Sequence, residues 1–429
     1  MRWKHCCTPG TDSLRCVSAH RNEHRELNEH RGLNEHRGLI VGAAGLMVAG
    51  VLTANLSPLV AASFADELGF GIERAGVLVS AGQGGVALSV LAMVPLLPRL
   101  NRKIVGAVGA CIAAACLAVT GFTTTYAVVL GLQVVMGLGA GLSFASANSA
   151  LANSRLPERA FSLVTITWMV VGSALLALGP TLHDVWPGAG IYLGIATAEL
   201  LCVVFISRLP DVRLLPRAAD VVNAPMSPID HRARSTSRGW LTAAMSFVGA
   251  IALIFVGNAI IWTYAQSIGV HAGLSAQATG TLLGLSQLTG VIGTAITFFF
   301  GATTDKMRII VPAGIALGVG GLLVGTSTTP VPYVTGLISM FVAFYCLVPL
   351  LLALATEMDT NSGRFVVLIS AVTLIAGGSS PALGGVIAGA DHDWTRLGIV
   401  SFVLLIAAIP MLVPPVRAAR RAATLTRSA

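Results

Sequence analysis

The sequence predicts an all-α polytopic membrane protein, with twelve transmembrane helices arranged as two pseudo-symmetric six-helix bundles. Three observations lead there. Of 429 residues, 55% are hydrophobic and only 11% are charged, against roughly 25% charged in a soluble domain, and mean hydropathy is +0.80. Long charge-free runs recur along the chain. Past the polar residues 1–38 there are about 33 residues for each of twelve units, enough for a span of about 20 residues and a short loop. Finally, lysine and arginine fall on every second connection, as a chain with two unlike faces requires.

Residues 1–38 are rich in His, Arg and Glu and carry a hexapeptide repeat, NEHREL at Asn22–Leu27 and then NEHRGL twice, ending at Leu39. His24, His30 and His36 recur every six residues, about 240° apart on a helix, so they would not share a face. The segment reads as a disordered cytoplasmic tail of low complexity, and metal binding is the weaker alternative. The apolar run from Leu39 is too long for a signal peptide. The N-terminal bundle takes residues 39–207, with spans near 39–63, 75–97, 104–122, 126–151, 161–182 and 190–207. Residues 208–239 form a linker containing Pro210, Pro216, Pro225, Pro228 and six arginines. The C-terminal bundle takes residues 240–413, with spans near 240–266, 278–300, 308–326, 332–355, 364–389 and 396–413. Residues 414–429 are a C-terminal tail.

On one side of the membrane fall Arg99, Arg102, Lys103, Arg155, Arg159, the linker arginines, Lys306, Arg308, Arg364 and four arginines from Arg417 onward. On the other side fall only Arg74 and Arg396. Positive charge marks the cytoplasmic side, so both termini are expected to be cytoplasmic in a plasma membrane, with a bacterial inner membrane as the expected setting. The basic residues sit in short loops and tails and make no single stripe, so no nucleic-acid partner is expected despite a formal charge of +8. Cys111, Cys116, Cys202 and Cys346 lie inside apolar runs and read as small hydrophobes. Neither a disulfide framework nor a metal spacing is present, and no cofactor is implied.

The halves repeat each other. At an offset of 204, Gly69, Gly76 and Gln83 map onto Gly273, Gly280 and Gln287; at 205, RAFSLV from Arg159 maps onto RFVVLI from Arg364. Gly137 and Gly141, Gly314 and Gly318, and Gly385 and Gly389 stand four residues apart, a spacing that lets helices approach closely in lipid. After the second helix of the second half stand Gly301, Asp305, Lys306 and Arg308, a glycine, three residues, an aspartate and basic residues. With this loop, the parallel repeats and the fourth-helix segment Gln133–Gly141, the chain from Leu39 to Pro415 resembles the major facilitator superfamily. The resemblance implies a transporter of two six-helix halves and gives Gly301, Asp305, Lys306 and Arg308 a gating role. The first-half copy of the loop departs from the pattern, with Val94 in place of the glycine and Pro98 in place of the aspartate. In the fourth helix Gln133 stands in place of the family's arginine.

The resemblance further implies that the first, fourth, seventh and tenth helices line a central cavity. Their polar residues include Asn55, Asn148, Asn258, Trp262, Tyr264 and Tyr345, and Gln83 and Gln287 lie on the second and eighth helices. Each is equally a candidate ligand contact or a hydrogen bond between helices. The set holds no Lys, Arg, Asp or Glu, which favours a small, neutral or weakly charged organic solute. Glu199 is the one carboxylate well inside a span. It is protonated, paired or turned toward water, and it either carries a coupled proton or is structural. Asp66, Glu67, Glu357 and Asp359 sit at span ends as boundary residues or gates.

The expected function is secondary active transport of such a solute by alternating access, in the direction of efflux given Gly172, Gly179 and Pro180 in the fifth helix, with protons as the coupling ion. An uptake symporter, a facilitator, or a membrane sensor or assembly protein that has lost transport fits the same features. No enzyme is expected: the spans hold no His/Asp/Glu or Ser/His constellation, His183, His271 and His392 fall at outer ends, and no phosphate-binding GxxxxGK[ST] loop exists. The lipid bilayer and the solute are the expected partners of a monomer.

Overall fold

Lipid offers no hydrogen bonds, so each apolar run must close its own backbone bonds as a helix. The computed structural model describes residues 38–94, 96, 100–152, 157–209, 238–300, 305–358, 364–389 and 391–419, and among them there is no strand. Nearly all of the terminal tail with its repeat, nearly all of the linker, Gly301 and Asp359 lie outside the described residues. Eleven helices are long and apolar enough to cross a membrane, and Gly190–Ile206 is a shorter apolar helix that completes twelve.

The first span is α1 (Gly38–Asn55) followed by α2 (Ser57–Ala62) and a π-helical turn, Ser63–Glu67. The rest of the first half is α3 (Gly71–Met93), α4 (Arg102–Thr120), α5 (Tyr126–Ala152), α6 (Pro157–Val185) and α7 (Gly190–Ile206). The second half comprises α8 (Arg238–His271), α9 (Ala276–Leu288) and α10 (Gly290–Phe300), which together make the eighth span, then α11 (Lys306–Gly325), α12 (Pro330–Met358), α13 (Arg364–Ala388) and α14 (Trp394–Met411). Several helices outrun their apolar stretch by a turn, because polar residues continue a helix once it reaches water. The last helix resumes after Leu412 and runs to Ala419.

Two spans that the hydropathy pattern reads as continuous are broken. Pro58 has no N–H for the carbonyl four residues earlier, and the first span breaks at Leu56, which caps α2. The eighth breaks at Thr289, whose hydroxyl and amide both bond to the Ser286 carbonyl, at 2.6 and 3.1 Å.

The chain ends emerge on one face, called here the terminal face; the turns into α3, α5, α7, α9, α12 and α14 lie on the far face. Within the halves, α4 packs on α5 and α7, and α11 on α12 and α14. Between them, α3 packs on α13, α6 on α9, and α2 on α8. These seams use equivalent glycines. A Cβ on Gly280 would stand 2.5 Å from the Leu176 carbonyl oxygen of α6, and one on Gly76 would strike the Pro381 carbonyl and the Tyr264 hydroxyl. Gly69 and Gly273, which precede them, both hold left-handed backbone, with φ of 66° and 90°. The repeat seen in the sequence is therefore a repeat of contacts. Of the glycine pairs at four-residue spacing, Gly389 makes no close approach and instead ends α13 at φ 62°.

The cross-half contacts run from the far face to the level of Gln83 and Trp168. Toward the terminal face the same helices turn to their own half: Gly85 of α3 to Val134 and Leu138, Gly293 of α10 to Val342, and Phe365 of α13 to Trp240 and Phe247. The halves are clamped at the far face.

Candidate functional site

The two helix breaks meet near mid-membrane. Asn55 and Ser57 flank the first, and Gln287 stands two residues before the second. Gly172 of α6 joins them: the Asn55 Nδ2 occupies the place that a Cβ on Gly172 would take, and Gln287 Nε2 lies 3.5 Å from that place. Gln287 is fully buried, Ser57 is 1% exposed and Ser173, one residue past Gly172, is 6% exposed. Asn55 Nδ2, both Ser57 and Ser173 hydroxyls, and both ends of the Gln287 amide have no hydrogen-bond partner among the described residues. A buried unpaired polar atom costs about 1–3 kcal/mol, and of these five the Asn55 and Gln287 amide nitrogens are the ones that meet, at Gly172.

A row of aromatic rings runs beside the eighth-span break. Trp262 meets Phe341 edge-on at 5.1 Å, Phe341 stacks on Tyr345 at 6.3 Å, and Tyr345 lies 6.4 Å from Trp168. This row links the seventh, tenth and fifth spans. Gly290, just past the eighth-span break, lets the Tyr345 ring press against the backbone. No Lys, Arg, Asp or Glu is among these residues.

The other sequence-derived candidates are distributed as follows. Gln83 is half-buried on α3, with its Cβ 3.5 Å from the place a Cβ on Gly378 would take. That position mirrors Gln287 beside Gly172. Asn258 is half-buried on α8. Asn148 donates to the Phe144 carbonyl of its own helix at 2.9 Å. Tyr264 is 1% exposed, and its hydroxyl donates to the Pro381 carbonyl at 2.7 Å; it belongs to the seam between α3 and α13. Gln133 is buried against Gly82 with its Nε2 unpartnered. Glu199 is fully buried, and neither carboxylate oxygen has a hydrogen-bond partner. Among the described residues it has no ion-pair partner, and its side chain is closed off from the surface. It shares a stripe with the buried Tyr192, Ile195, Cys202 and Ile206 that faces the inside of the first half.

At the terminal face Asp305 caps α11, its Oδ1 accepting from Met307 N at 3.1 Å. Lys306 forms an ion pair with Glu357 at the end of α12, and Arg308 is exposed. At the far face His183 and Glu67 pair at 3.0 Å. Burial raises the Asp66 carboxyl above its ordinary value, and the charge of His392 across the seam works against that rise.

The Major Facilitator Superfamily model matches residues 42–361. The chain belongs to that superfamily. It is a multi-pass membrane protein of a transporter family, with the fold that the sequence predicts. No curated protein matches it. Among solved structures it is similar to the nucleoside transporter NupG, at 15% identity and a TM-score of 0.68 over 88% of this chain and 99% of that one. It is similar to a structure described for substrate recognition in proton dependent oligopeptide transporters, at 14% identity and 0.64 over 92% and 100%. A D-xylose-proton symporter matches at 13% and 0.65 over 89% and 96%. At such identities the likeness establishes the shared fold.

Within this superfamily framework, the residues that sequence reasoning passed over are Trp168, Ser173 and Phe341. Trp168 did carry a signal. Tryptophan gathers at membrane interfaces, and one in the middle of a span has left its usual place.

Proposed function

We propose that this superfamily member is a secondary active transporter that exports a small, neutral organic solute by alternating access, with the chamber between the two helix breaks as its binding site. The observation that carries this reading is the set of unpartnered buried atoms on Asn55, Ser57, Ser173 and Gln287 beside the aromatic row. Gln287 can donate and accept at once, and Trp168 and Tyr345 supply flat apolar surface. The complementary solute has both donors and acceptors, a planar or apolar part and no net charge, since no charged side chain stands ready to neutralise one.

The placement of Lys and Arg supports a cytoplasmic terminal face, and with the halves meeting at the far face the proposed site would be loaded from the cytoplasm. Glu199 is proposed as the proton carrier. Ionising a buried carboxyl with neither partner nor water costs several kcal/mol, so its proton is exchanged only when helix motion admits water.

Gln287→Leu tests the site, because it preserves volume and removes both hydrogen-bonding ends. In a thermal-shift screen of the purified protein against neutral metabolites and drugs, a solute that stabilises the wild type is expected to lose at least tenfold in affinity for the variant. Unchanged affinity would move the site elsewhere.

A further inference from the structure

The seam closes below a second cavity, of about 450 Å³, that opens at the far face. This lies within the usual range of small-molecule sites. Gln277 stands on its wall and ties α9 to α6, its amide accepting from the Thr181 hydroxyl and donating to the Ala177 carbonyl, both at 2.9 Å.

The polar lining holds three carboxylates, Asp66, Glu67 and Asp184, and three histidines, His183, His271 and His392. Asp66 and Asp184 present carboxylates, and no Lys or Arg lines the space. Glu67 is already engaged, accepting from the Ser63 hydroxyl at 2.9 Å and pairing with His183. The independent observation is Gln266. It lines the same cavity, is 4% exposed, and donates through Nε2 to the Ala276 carbonyl at 3.0 Å. That bond fixes which way the amide points, and it leaves Oε1 buried without a donor. Leu59, Val270 and Trp394 supply apolar wall, and Trp394 is 6% exposed with His392 stacked on it.

Two exposed carboxylates, a donor-seeking carbonyl and the apolar wall at Leu59 and Val270 call for a ligand that carries hydrogen-bond donors, positive charge and an apolar body. We propose that the far-face cavity is a second binding site, for a protonated organic amine with an apolar substituent. Asp66 gains most from such an occupant, since an ammonium group beside it offsets the cost of its partial burial. Binding here needs no turnover, so this inference stands or falls independently of the solute assigned to the central chamber.

The test uses the full chain in lipid nanodiscs at pH 7, with benzylamine as the cationic probe and benzyl alcohol as its neutral counterpart, followed by titration calorimetry. Benzylamine is expected to bind saturably and at least tenfold more tightly than benzyl alcohol. Asp66→Asn and Asp184→Asn, both at exposed positions that leave the packing intact, are each expected to weaken benzylamine at least tenfold, while Gln287→Leu leaves it unchanged. Absence of benzylamine binding, equal affinity for the two probes, or wild-type affinity in both aspartate variants overturns the assignment. Loss of binding in Gln287→Leu alone overturns it too, by placing the amine in the central chamber.

Discussion

Gln277 is the most direct handle on the far-face clamp. It sits in the first turn of α9 and makes two hydrogen bonds to α6 across the seam, to Thr181 and to Ala177. Neither bond can survive when the halves part at this face, so their whole net worth enters the equilibrium between the two open states. Both partners are exposed, which puts each bond at the low end of the usual range, about 0.5–1 kcal/mol. Gln277→Leu should then favour the far-face-open state by about 1–2 kcal/mol, or roughly 5- to 30-fold at 1.4 kcal/mol per decade. Spin labels at Phe122→Cys and Val331→Cys, exposed positions in far-face turns of opposite halves, would report the population of long distances by pulsed electron resonance. Thr181→Val alone removes one bond and should give about half the free-energy shift. Combined with Gln277→Leu it should add nothing further. An unchanged distance distribution in Gln277→Leu, or full additivity of the two substitutions, would refute the reasoning.

Three further outcomes are expected. In Gly172→Ala the new methyl group takes the place of the Asn55 amide, so overpacking should cost about 1–3 kcal/mol and abolish solute binding; the melting temperature should recover in Gly172→Ala with Asn55→Ala, and no recovery would mean the two residues do not meet. Asp305→Asn keeps a side chain able to cap α11, since the two are equivalent caps, so thermal stability and membrane insertion should hold while transport falls; normal turnover would reduce the loop to a topology signal. Glu199→Gln should preserve solute exchange across vesicles but lose accumulation driven by a pH gradient, and undiminished uphill transport would make Glu199 structural.

What was legible in the sequence is what lipid enforces locally. Spans, loops and charge alternation follow from the need to satisfy every backbone group inside one run and to keep basic residues on one side. The offset of 204 was also readable, because Gly69 and Gly273 serve the same turn and Gly76 and Gly280 serve the same close approach. The helix breaks were not. Pro58 was visible, but a proline in a membrane helix bends, breaks or does neither according to its neighbours, and Thr289 and Gly290 are ordinary residues for a span. Tyr264 shows a second limit. As a polar aromatic in the seventh helix it looked like cavity lining, yet its hydroxyl is bonded in a seam whose position depends on how two halves meet. For Glu199 the signal was present and went unread, since the spacing of Tyr192, Ile195, Glu199, Cys202 and Ile206 already places it on the stripe that faces its own bundle.

The two halves are alike at their seams and unlike around the proposed binding site. At the seams, Gly76 against Pro381 and Gly280 against Leu176 and Pro180 are counterparts, and Gln83 beside Gly378 mirrors Gln287 beside Gly172. The chamber breaks this symmetry. The position that repeats Asn55 at the offset of 204 is Ala259, and the one that repeats Trp168 at the fifth-helix offset of 205 is Thr373, so neither the amide nor the indole recurs at those positions. Alternating access, as proposed, asks for two seams that can exchange roles, which fits a repeat kept within one chain at Gly69 and Gly76 and at Gly273 and Gly280. Recognition asks for one surface that fits a solute without its own symmetry, which explains an amide and hydroxyl wall gathered on the first, fifth and eighth spans and an aromatic wall on the seventh, tenth and fifth. On the proposed reading, substitutions at the seam glycines should act on the conformational equilibrium for every solute alike, whereas substitutions at Asn55, Trp168, Gln287 and Tyr345 should change which solute is carried.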